Sequence, residues 1–167
     1  MRTFKPAAAA YAARCKTDFI RNIRREGLIP GLGTTKGGLS ASSDTGGMVF
    51  LTAEEVVLLR SGVFLGPYLK TYKNAFEFVM ERRAVIEDAA RDAVFDPADL
   101  SNDYVLTLTL DDSLSTGYSG ATSSPVAKIT FDPESSPPAG LLQVNFSELA
   151  RQVARDLKAY VSGEDPA

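Results

Sequence analysis

The chain has 167 residues, 44% of them apolar and 23% charged, with a formal net charge of −3. That is the composition of one globular domain, long enough to bury roughly 70% of its unfolded surface without a metal or disulfide staple. The absence of His and the single Cys, Cys15, exclude Ser-His-Asp and Cys-His nucleophiles, Cys/His zinc sites and an internal disulfide, and the acidic balance argues against nucleic acid as a partner of the chain as a whole.

The charge is unevenly divided. Residues 1–36 hold eight basic side chains against Asp18 and Glu26, a net of +6, which leaves −9 for the rest. Pro6 to Glu26 reads as one helix. Pro6 suits a first helical position. Tyr11, Cys15, Phe19 and Ile23 recur every four residues as an apolar ridge, and Arg14, Arg21 and Arg25 fall on the opposite side. Gly27 supplies a stop. Residues 1–29 are therefore expected to form a basic N-terminal helical arm. Its arginines fit a solvated face, a docking stripe for an acidic partner or a nucleic-acid contact. Tyr11, Arg14, Phe19, Arg21, Ile23 and Arg25 are the candidate partner-binding residues. If the helix packs on its own body instead, Tyr11, Phe19 and Ile23 are core. Basic residues follow the Ala7–Ala10 run at Arg14 and Lys16, the reverse of a secretory signal. No run of ~18 apolar residues exists, so no membrane span is expected.

Residues 30–47 form a Gly/Ser-rich loop, expected to be held by a neighbouring subunit. Its Gly31–Gly38 stretch lacks the order of a phosphate loop, since Lys36 precedes the Gly pair. Residues 48–163 are the body. Met48–Leu51 reads as a strand. Thr52 and Glu55 make a capping box, flanked by Leu51 and Val56 as a hydrophobic staple. Gly62 is the expected end of that helix. Asn74 with Glu77 offers a weaker cap to a helix over 75–94, with a strand followed by a helix as the alternative. Strands follow at 104–110, 126–131 and 141–146, separated by a Ser/Thr/Gly turn region at 111–125 and a Pro-rich loop. Ser147 is the expected cap of a last helix with Leu149, Val153, Leu157 and Val161 on one ridge. Gly163 ends it, and 164–167 is a polar tail. The expected fold is α+β, a small antiparallel sheet with packed helices.

Carboxylates are the remaining candidates for chemistry. Asp96, Asp99 and Asp103 lie together in sequence and Asp111-Asp112 follows a strand. Such oxygens suit Mg²⁺ or Ca²⁺, but no EF-hand spacing is present, and Asp beside Pro, Ser and Asn commonly builds turns. No catalytic residue, metal or cofactor is assigned.

The basic helix at 6–26, the Gly/Ser loop at 30–47 and the Ser/Thr-rich β segment at 104–146 together resemble small virion structural proteins of tailed bacteriophages. The resemblance implies a non-enzymatic structural subunit. Its first form is a capsid cement (decoration) protein and its second a head–tail connector. It would bind major capsid or neck subunits and copies of itself, and would be located in the virion, or in the cytoplasm if the chain is not viral. A small carboxylate-dependent enzyme, with or without a metal, is the alternative.

Overall fold

The computed structural model describes residues 3–33, 49–95, 103–110, 120–125 and 140–163. In chain order the elements are β1 (Thr3–Phe4), α1 (Pro6–Ala12), α2 (Thr17–Arg25), β2 (Leu51–Thr52), α3 (Ala53–Leu65), α4 (Tyr72–Glu81), α5 (Arg83–Phe95), β3 (Tyr104–Leu110), β4 (Gly120–Pro125), β5 (Gly140–Asn145) and α6 (Phe146–Ser162). The fold is α+β, with six helices and two antiparallel sheets among the described residues.

α3 is the central helix. Val56, Val57, Leu58, Leu59 and Leu65 are all buried, and a helix apolar all round belongs inside a domain. α1, α4, α5 and α6 pack around it. Its start is the capping box that the Thr52–Glu55 spacing predicts. The Glu55 N–H donates to Thr52 Oγ1 at 3.2 Å, and the Thr52 N–H donates to Glu55 Oε2 at 2.8 Å. Its end differs from expectation, because the helix continues through Gly62 to Leu65. A Cβ on Gly62 would overlap the Phe76 ring. Glycine is there to let α4 approach α3, not to stop the helix.

The expected helix over 75–94 is two helices. α4 begins earlier, with Thr71 Oγ1 accepting from the Asn74 N–H at 3.1 Å. The break falls at Arg82 (φ −111, ψ 17), whose guanidinium lies 3.7 Å from the centroid of the Phe78 ring. In α6 the cap is Asn145, whose Oδ1 accepts from the Glu148 N–H at 2.9 Å. Ser147 instead accepts from the Tyr104 N–H at 3.0 Å and ties α6 to β3. Leu149, Val153 and Leu157 are buried as the ridge predicts, while Val161 has passed beyond the core and is exposed.

The strands form two sheets instead of one. β1 pairs with β2, Thr3 opposite Thr52 and Phe4 opposite Leu51. β3 is the middle strand of the other, ordered β4-β3-β5. β3 and β5 lie where alternation places them. β4 falls in the region expected to be a turn; cross-strand pairing with β3, Thr122 opposite Thr107 among its pairs, overrides the weak strand preference of Gly and Ser. The expected strand at 126–131, most of the 30–47 loop, Asp96, Asp99, Asp111, Asp112 and the tail lie outside the described residues.

The N-terminal segment departs most from expectation. It is two helices, not one, and it packs on its own body, the alternative the sequence left open, instead of projecting as an arm. Ala8, Ala9, Ala10, Ala12, Ala13, Ile20, Ile23, Ile29 and Leu32 join the same buried cluster as α3 and α6. The alanines of α1 let its axis come close to its neighbours, because interaxial distance is set by the side chains at the contact.

Candidate functional site

Two short helices joined by the four residues Ala13–Lys16 form the N-terminal unit. Arg14 holds the left-handed conformation, φ 58. The Arg14 N–H donates to the Tyr11 carbonyl at 3.1 Å and the Cys15 N–H to the Ala10 carbonyl at 3.0 Å. Those two bonds are the Schellman pattern that ends a helix and reverses the chain. Lys16 is extended, and α2 begins at once. α2 ends in the same way, with Gly27 at φ 67 donating to the Arg24 carbonyl and Leu28 donating to Ile23.

The turn packs α2 against α1. Ile20 and Ile23 face inward and are buried with Ala9 and Ala10 of α1. At 3.6 residues per turn, the opposite side of α2 carries Arg21, Arg25, Asp18 and Asn22, all exposed. Asp18 and Arg21 are joined on that face at 2.7 Å. Lys16 and Glu26 are exposed at its two ends. The unit is thus two short helices on a four-residue turn, with a polar outer face on the second.

No protein-family model matches the chain, and no curated protein matches it.

The unit is fastened to the body at several points. Arg14 pairs with Asp156 of α6 at 3.1 Å. The Tyr11 ring meets Tyr160 of α6 with centroids 5.5 Å apart. Asp156 also acts on Arg60 of α3, whose guanidinium is lowered from its ordinary value by burial and by the like charge of Arg14, against the attraction of Asp156. Phe19, half-buried at the edge of α2, packs edge-on against Tyr72 at 4.9 Å and lies 6.2 Å from Phe76. Beyond α2, Glu55 Oε1 accepts from the Gly33 N–H at 2.8 Å, so the capping carboxylate also fixes the returning chain. The β1–β2 pair closes the unit onto the start of α3.

The six candidate residues thus part company. Arg21 and Arg25 stand on the outer face of α2. Arg14 is at the turn, its guanidinium held by Asp156. Tyr11 and Phe19 are half-buried packing residues, and Ile23 is core. Asp18 and Asn22 were missed. The signals were there: an Asp three residues before Arg21, and Ile20 with Ile23 marking the inner side. Cys15 is half-buried, and burial pushes its thiol up to about 11, so it is protonated and unreactive at neutral pH.

Asp103, expected in a carboxylate loop, is already committed. Arg151 grips it with two parallel bonds, Nη1 to Oδ1 at 2.8 Å and Nη2 to Oδ2 at 2.7 Å. Asn145 Nδ2 donates to the same Oδ2 at 2.6 Å. Arg151 and Asn145 hold the carboxyl below its ordinary value against the opposing effect of burial. Burial pushes Glu148 up, but hydrogen bonds from Arg151, Arg155 and Gln152 outweigh it and leave it lowered. This cluster joins β3, β5 and α6. Among the described residues no group of three or more acidic or Cys side chains could hold a metal, and no helix is long and apolar enough to cross a membrane.

Proposed function

We propose that this chain is a non-enzymatic DNA-binding protein that docks on duplex DNA through α2. The observation that carries the reading is the α1–turn–α2 unit, two short helices on a four-residue turn as in helix-turn-helix DNA-binding motifs, with Arg14 at φ 58 and Ile20 and Ile23 buried, which leaves Arg21, Asn22 and Arg25 with Asp18 on an exposed face. Arg21 and Arg25 outnumber Asp18 on that face, and Lys16 offsets Glu26 at its ends, so the face is locally basic although the whole chain carries −3. Local basic charge, not the average, meets phosphate. The test is a titration of a labelled random-sequence duplex with the full chain at rising salt. Binding at roughly 50 mM salt that weakens linearly in log–log form, by about 0.9 per phosphate contacted, supports the reading. No binding at that salt overturns it.

A second reading, a structural subunit of a large assembly such as a phage cement or head–tail connector protein, draws support from exposed Tyr68, Tyr72, Tyr160 and Val161. Aromatic side chains of this kind anchor protein interfaces. Light scattering distinguishes the two. A large defined oligomer favours the assembly subunit, and a 17.9 kDa monomer that binds DNA disfavours it.

A further inference from the structure

We propose that Arg21 is the base-reading residue of α2 and that Asp18 is the residue that orients it; the proposal rests on the DNA-binding reading above. Among the basic side chains on the outer face, Arg21 is the one held by a neighbour, Nη1 donating to Asp18 Oδ1 at 2.7 Å. A free arginine side chain samples many rotamers. Tying one N–H of the planar fork to a carboxylate on the same helix fixes the plane and leaves further N–H groups to donate. In the major groove guanine presents two adjacent acceptors, N7 and O6, which accept a parallel pair of N–H groups from arginine.

Asp18 is otherwise an odd residue for this face. A carboxylate repels phosphate, so it weakens binding to every sequence alike. Its ordinary role would be to complement the N-terminus of α2, where it occupies the first turn. That role predicts an effect on stability and none on base preference. An orienting role predicts the reverse. Arg25 has no ion pair among the described residues and is placed to meet phosphate, which positions a protein without reading sequence.

The experiment is selection from a random duplex library with the full chain, followed by competition titrations, for the wild type, Arg21→Ala, Asp18→Asn and Arg25→Ala. All three side chains are exposed, and melting curves check that each variant is folded. The expected wild-type site contains a preferred guanine. Arg21→Ala loses that preference, by roughly tenfold to a hundredfold in the ratio of guanine to other bases. Asp18→Asn weakens the same preference while binding to random duplex holds or tightens. Arg25→Ala weakens all sequences equally and lowers the salt slope by about 1. If Arg21→Ala selects the wild-type site with all sequences weakened equally, or Asp18→Asn changes only the melting curve, the proposal is overturned. A wild type that binds duplex without base preference also overturns it and leaves the DNA-binding reading intact. A wild type that binds no duplex removes both.

Discussion

Asp103–Arg151 and Asp18–Arg21 each have a shortest contact of 2.7 Å, yet their side chains are 5% and 8% exposed in the first pair and 80% and 76% in the second. Burial decides what each pair does. Breaking a buried pair leaves an uncompensated charge away from water, which costs far more than the pair gains. An exposed pair is screened and adds little to stability. The first pair therefore ties the residue before β3 to α6, and the second stands on a surface where Arg21, held by Asp18, keeps further N–H groups for another acceptor.

The largest expected effect is on the buried side. Arg151→Ala should destabilise the fold by about 3–5 kcal/mol, read by denaturant unfolding, because Asp103 is left buried without its partner. A loss as small as that of an exposed pair would remove the distinction. The same pair should set a pH dependence. Asp103 is lowered in the folded chain, so its contribution is complete above the ordinary carboxyl pKa of about 3.9 and is lost as pH falls through the lower folded value. Asp103→Asn should be less stable at neutral pH and lose less stability between roughly pH 5 and pH 2. Melting curves across that range check it, and an unchanged acid slope would contradict it.

A smaller effect is expected from Gly62→Ala. The added methyl must displace Phe76, and overpacking of this kind costs about 1–3 kcal/mol. If Gly62 were a helix stop in the chain, as its sequence context suggests, alanine would be tolerated more easily. The smallest effect on stability is that of Arg21→Ala, expected within about 0.5 kcal/mol of wild type, although the DNA-binding proposal expects its effect on recognition to be the largest on that face.

Local chemistry was legible where a few neighbouring residues decide the structure. Thr52 with Glu55 specified the start of α3, Gly27 and Gly163 the ends of α2 and α6, and alternation the β3 strand. Tertiary contact was not legible. Gly62 looks like a terminator until Phe76 is seen against it. Gly120–Pro125 looks like a turn until β3 pairs with it. The α1–α2 break was hidden for two reasons. The four-residue ridge from Tyr11 to Ile23 runs across it without interruption, and the left-handed position is held by Arg14 where glycine would have marked a reversal. Read as one helix, Arg14, Arg21 and Arg25 form a stripe. The turn separates them and sends Arg14 to Asp156. Half of the candidate site was thus legible as arginines, and Asp18 and Asn22 became part of it only once α2 had its own axis.

The central claim is that α2 is the surface that meets DNA. The most direct test is amide chemical-shift mapping of the labelled full chain during titration with an unlabelled random-sequence duplex. The account predicts shifts concentrated between Lys16 and Glu26, fading with added salt. An unchanged spectrum, or shifts centred on Tyr68 and Tyr160 with α2 silent, would contradict it.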